Sequence, residues 1–175
     1  MPRRVVTGVD RAGWSVFVSD GEVAAKRLAS APTGGFFDVW GGDTRPVAPT
    51  DGSPPPYTAF FPPVAGWRFM VVVMPPEAAP AVEVDPADLV AQMERDFPGM
   101  AAHMEPEHPG MHTTATVDVG VVLDGEIWLE LDDGEIRHLR TGDMVVQNGT
   151  RHAWRNRSDR PTTMAFVLIG ADPPG

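Results

Sequence analysis

The chain contains no cysteine, which excludes disulfides, thiolate metal sites and cysteine nucleophiles together. It is also short of positive charge: 14 Lys and Arg stand against 24 Asp and Glu, a formal net charge of −10 at pH 7. A phosphate backbone or an anionic bilayer repels such a chain unless its basic residues are sharply clustered. The one cluster is Arg151, Arg155, Arg157 and Arg160. Those on or just after the His152 segment alternate with His152, Trp154 and Asn156, so they are either solvated on its other face or a rim that steers an anionic substrate. No apolar run approaches the roughly 20 residues needed to span a bilayer. The opening Met-Pro-Arg-Arg-Val-Val-Thr-Gly reaches Gly8, Asp10 and Arg11 before a signal-peptide core could form. Neither nucleic acid nor membrane is expected as a partner, and a soluble cytoplasmic protein is expected. A glycine-rich phosphate loop, a Gly-x-Ser-x-Gly elbow, a dinucleotide fingerprint and a helix-turn-helix are all missing as well.

What is present points to strands. With 175 residues and 42% hydrophobic content, the chain suits one domain over 1–175. Within residues 1–80, Val5–Thr7 and Trp14–Val18 read as a hairpin, and Phe36–Trp40 reads as one strand in a stretch broken by Gly and Pro. Trp67–Met74 reads as a continuous apolar strand ended by Pro75-Pro76. This N-terminal part is expected to cover a barrel. A helix is expected over 85–98: Asp85 caps it, Pro86 takes the first position, Leu89, Met93 and Phe97 make an apolar stripe, and Pro98-Gly99 stops it. From Met111 onward short strands alternate with Asp- and Gly-rich turns at Asp124-Gly125, Asp132-Asp133-Gly134 and Thr141-Gly142-Asp143. The reading is an all-β barrel or sandwich of the jelly-roll kind, with its core over 110–170.

The run from His112 to Asp118 carries the chemistry. Side chains alternate across a strand, so His112, Thr114, Thr116 and Asp118 share one face while Val117, Val119 and Val121 share the other. A polar face of this kind beside an apolar one that needs cover suggests a lined cavity. Trp40, Phe60, Phe61 and Trp67 are expected to cover the valine face, and a strand from a second copy could help, which makes a homodimer the expected assembly. By the same alternation Trp154 and Asn156 share the face of His152. Met93, Met100, Met104 and Met111 are either core or a compliant lid over a bulky ligand. His103, His108 and His138 are expected to be solvated, with His108 the one placed to fold over the barrel mouth.

Residues 110–156 resemble the two sequence motifs of the cupin superfamily, as in small single-domain members of the conserved-barrel type. His112, Thr114, Asp118 and Gly125 occupy the places of the first motif, and Gly142, Gln147, Gly149, His152 and Asn156 those of the second. The 16 residues between Gly125 and Gly142 match a short spacer. The first motif is degenerate: Thr114 stands for the family's second histidine and Asp118 for its glutamate, while Gln147 stands for the usual proline. The resemblance implies a double-stranded β-helix barrel. It also implies a divalent metal (Fe, Mn, Ni or Zn) held by His112, Asp118 and His152; otherwise there is no cofactor, and the two histidines are buried and hydrogen-bonded in a metal-free cavity. The catalytic set implied is likewise His112, Asp118 and His152, with Thr114, Thr116, Trp154, Asn156 and Met111 touching a small-molecule substrate. The expected activity is that of a decarboxylase, isomerase, cyclase, lyase or dioxygenase acting on a carbonyl, enol or carboxylate metabolite, and the alternative is a ligand-binding or sensory barrel without turnover.

Overall fold

The computed structural model describes residues 1–80 and 82–172. Ten strands and one α-helix follow in chain order: β1 (Arg3–Val9), β2 (Ser15–Glu22), β3 (Gly35–Gly42), β4 (Trp67–Met74), α1 (Pro86–Asp96), β5 (Thr116–Asp124), β6 (Glu126–Glu130), β7 (Ile136–Arg140), β8 (Met144–Asn148), β9 (Ala153–Arg155) and β10 (Thr162–Gly170). They form an antiparallel five-stranded sheet in the order β3-β4-β10-β5-β8, a three-stranded sheet β7-β6-β9, and a separate β1-β2 hairpin. The fold is all-β among the described residues, with the α-helix set before the motif strands.

Burial along β5 follows the period of two: Thr116, Asp118, Gly120 and Val122 are buried, whereas Val119 and Leu123 are exposed. The buried face looks onto a core of Phe60, Met70, Val72, Phe97, Met100, Val122, Ile127, Met164, Phe166 and Leu168. Two motif glycines are required by geometry. Gly125 turns β5 into β6 at φ 88°, where an added Cβ would lie 2.9 Å from the Thr162 hydroxyl. Gly149 turns β8 toward the His152 segment at φ 65°; both values are strained for other residues.

The helix is as the sequence dictates at its start, where the Asp85 carboxylate accepts from the backbone N–H groups of Ala87 (2.8 Å) and Asp88 (3.4 Å). Its stripe does two jobs. Phe97, at the C-cap and fully buried, packs edge-on to Phe36 and Phe60 at 5.0 and 5.6 Å between centroids, while Met93 lines the interior cavity rather than the sheet.

The aromatic cover differs from the sequence expectation. Phe60 and Phe61 point inward and line the cavity, leaving Val119 46% exposed, with Val146 and Ile169 exposed beside it on the outer sheet face. The reason is Arg68, which sits inside the apolar run of β4 and is 2% exposed. Its guanidinium donates to the carbonyls of Gly42 and Ala59 and to the Asp43 carboxylate at 2.6 Å, and lies 4.2 Å over the Tyr57 ring. A buried cation must satisfy every donor it carries. The loop before β4 is therefore drawn over the sheet end, and Phe60 and Phe61 follow it inside.

Candidate functional site

β5, β8 and the segment around His152 deliver their inward side chains to one cavity of about 230 Å³. His112 lies outside any regular strand, held by isolated bridges to Met104 and His152. That bridge is a reciprocal pair of backbone hydrogen bonds between His112 and His152, each 3.0 Å. It sets the two rings 4.2 Å apart between centroids at 53°. Both rings are fixed in the same tautomer. A carbonyl oxygen can only accept, so the His112 Nδ1–H donates to Gly110 O (3.0 Å) and the His152 Nδ1–H to Thr150 O (2.9 Å). Each Nε2 keeps its lone pair.

Burial decides the charge state. It pushes His152 down to about 4, with the neighbouring His112 adding to the effect, and it lowers His112 as well. Burial also pushes Asp118 up to about 6, against the opposing effect of the Thr116 hydroxyl. The usual order of carboxyl and imidazole is inverted here: the aspartate is the more basic group.

Asp118 lines the same cavity as the two histidines, yet the histidines are oriented by backbone carbonyls and not by this carboxylate. Its Oδ1 is buried with no hydrogen-bond partner, and so is Nε2 of Gln147. Asp118 and Gln147 are opposite each other in the β5–β8 register. Gln147 Oε1 accepts from the Thr150 hydroxyl at 2.8 Å, and its NH2 group remains unused.

The remaining sequence candidates are distributed differently. Trp154 lines the cavity, with its ring 5.8 Å from His152 and 5.5 Å from Phe166. Thr114 and Thr116 are buried and bonded to each other at 2.8 Å, away from the lining. Asn156 is buried and donates to the carbonyls of Met74 and Arg160, holding the loop before β10. Met111 and His108 line a second, outer groove with Arg151 and Arg155. Met93, Met100 and Met104 line the main cavity, joined by Met70 and Met74 from β4. The arginine cluster is largely neutralised within the chain: Arg151 grips Glu105 through two hydrogen bonds (2.7 and 2.6 Å), Arg155 binds Glu130, and Arg160 binds Asp124. His138 pairs with Glu126 at 2.7 Å and stacks on Trp128 outside the barrel. Gln147, Met70 and Met74 were not singled out for the site from the sequence. The signal for Gln147 was its place in the second motif, where a polar residue replaces proline in an otherwise apolar strand.

The ligand set implied by the motifs does not fit a metal ion here. Among the described residues no three His, Cys, Asp or Glu side chains come together closely enough to hold one, and Thr114 is turned into its bond with Thr116.

Residues 100–169 match the family model described as the cupin domain. The chain carries a cupin domain of the cupin superfamily. Over 64 residues this chain is 56% identical to phomopsin biosynthesis cluster protein C′ of Diaporthe leptostromiformis, a match covering 36% of this chain and 34% of that protein. It is 41% identical over 64 residues to the cupin-domain-containing oxidoreductase srdB of Neurospora crassa, covering 36% and 33%. The chain thus covers about a third of the length of the curated relatives it matches. The cupin domain of Schizosaccharomyces pombe Cnp3 superposes with a TM-score of 0.50 at 8% identity, over 97% of this chain and 88% of that one; the likeness is one of fold. No helix among the described residues is long and apolar enough to cross a membrane.

Proposed function

We propose that this cupin is a small-molecule enzyme that moves a proton on a carbonyl or enol compound, with the His112 and His152 imidazoles as the base and its relay. The observation that carries this reading is the pair itself: two neutral rings 4.2 Å apart, each tied by Nδ1 to a backbone carbonyl, on a cavity walled mostly by Phe, Met, Leu, Val and Trp. A C–H bond next to a carbonyl breaks as an imidazole Nε2 takes the proton, and the electron pair moves onto the carbonyl oxygen to give an enolate. Return of the proton to a second carbon completes an isomerisation; attack of the enol on a nearby electrophilic carbon closes a ring. The pair holds one proton at a time, because a charge on one ring opposes a charge on the other. Low dielectric weakens each imidazole as a resting base, but it strengthens the attraction between imidazolium and enolate once they form.

The names of the relatives support an enzyme in general. Oxidoreductase is the name of the Neurospora crassa protein, of which this chain matches a third, and the reaction of this chain is the proposal made here.

The test uses a simple aromatic ketone such as phenylacetone in D2O, with loss of its α-proton signal followed by NMR. The wild-type chain should accelerate exchange, and both His112→Ala and His152→Ala should abolish it while circular dichroism shows the fold retained. Acceleration that survives in both variants removes the imidazoles from the mechanism. Saturable ketone binding with no exchange marks the barrel as a ligand-binding module without turnover.

A further inference from the structure

We infer that Asp118 and Gln147 form a two-pronged recognition site, one acceptor beside one donor, for an uncharged ligand head that carries an N–H or O–H next to a carbonyl oxygen. The inference deepens the reading above by naming the class of reactant, and rests on it only in placing that reactant beside the imidazoles. Its own basis is hydrogen-bond accounting. Buried polar side-chain atoms are almost always partnered, because an orphan keeps the full desolvation penalty of its group uncompensated. Only two buried side-chain atoms among the described residues are orphaned, Asp118 Oδ1 and Gln147 Nε2. Both residues are more than nine-tenths buried, at 8% and 4% exposure, both line the one cavity, and they face each other across β5 and β8.

Chance defects would not be paired in this way, nor held. Thr150 and Asp118 do the holding: the Thr150 hydroxyl donates to Gln147 Oε1 at 2.8 Å, a flipped amide would turn its oxygen toward the Asp118 carboxylate opposite, and the Thr150 carbonyl fixes His152. The cavity thus presents an acceptor and a donor side by side, on the same lining as the imidazoles and an apolar wall. A primary amide, a hydroxy-carbonyl or a protonated acid on an aromatic or alkyl body complements that order. A carboxylate does not, because it brings two acceptors toward Asp118 within a chain of net charge −10. A plain ketone satisfies Gln147 alone. Sites that pair buried polar groups with a ligand's donor discriminate strongly against analogues lacking it.

The experiment is calorimetric titration of the full chain at pH 8 with three probes sharing one ring: benzamide, acetophenone and benzoate. Benzamide should bind at least ten times tighter than acetophenone, and benzoate should bind more weakly than either. Asp118→Leu and Gln147→Leu, which remove the acceptor and the donor respectively, should bring benzamide down to the level of acetophenone. Thr150→Val, which replaces the hydroxyl with a methyl group, should reduce the preference without abolishing it. Equal binding of benzamide and acetophenone by the wild type overturns the inference, and so does a preference that persists in both leucine variants. Failure of the acid–base reading looks different: benzamide is preferred as expected, but the His112→Ala and His152→Ala variants exchange ketone protons as fast as the wild type.

Discussion

The inverted order of Asp118 and His152 predicts a pH dependence of stability that is concealed in the wild type and exposed by single substitutions. Asp118 is raised from 3.8 to about 6. Between those values the folded chain keeps a proton that the unfolded chain has released, so this contribution is full below pH 3.8 and is lost as pH rises through about 6. His152 is lowered from 6.5 to about 4. There the unfolded chain holds the proton and the folded chain refuses it, so this contribution is present above pH 6.5 and is lost as pH falls through about 4. Each window is a little over two pH units wide, and at about 1.4 kcal/mol per unit each is worth ~3 kcal/mol with opposite sign. Asp118 is not among the groups that move His152, so the two terms should separate. Urea unfolding of the wild type, Asp118→Asn and His152→Gln at pH values from 4 to 7 measures them. Relative to the wild type, Asp118→Asn should gain ~3 kcal/mol across that range and His152→Gln should lose a similar amount. Shifts shared by all three proteins, such as those of the surface carboxylates paired with arginine, cancel in the difference. Curves that run parallel within about 0.5 kcal/mol for both variants would refute the burial argument.

Other substitutions test how the cavity is built. Arg68→Ala removes the cation paired with Asp43 and the donor to the Gly42 and Ala59 carbonyls and should cost about 3–5 kcal/mol in urea unfolding, with weakened binding of any cavity ligand as Phe60 and Phe61 lose their anchor. Phe97→Ala removes a fully buried ring from a cluster of edge-on aromatics; a loss of about 3–5 kcal/mol is expected, and a value below ~1 kcal/mol would mean that the helix does not close the core. Asp85→Ala deletes the cap on α1 and should cost roughly 1 kcal/mol while leaving probe binding unchanged in calorimetry, since no ligand-facing side chain is touched.

The inward face of β5 was legible because a period of two sorts side chains without any knowledge of the partner strand. His112, Thr114, Thr116 and Asp118 were placed together on that ground, and the structure buries the last three and sets His112 against His152. The helix start was legible from Asp85-Pro86, and the tight turns from Asp and Gly. Arg68 was not: within Trp67–Met74 it was counted as part of an apolar run, and only the loop carbonyls folded over it reveal why a cation is there. Phe60 and Phe61 lie in a Pro-rich loop with no periodicity to read, so their inward direction could not be foreseen.

The sequence by itself determined the strand and turn pattern, the cupin motifs, the capped helix and the presence of two histidines and one aspartate on inward positions. These follow from local chemistry: side-chain alternation, the φ demands of turns and the donors left free at a helix start. The tertiary structure alone decided which of those groups meet. The opposition of Asp118 to Gln147, the shared tautomer of His112 and His152 and the failure of three ligands to converge all depend on strand register and on loops tens of residues away. Register is set by packing over the whole barrel, and no local pattern in a single segment encodes it.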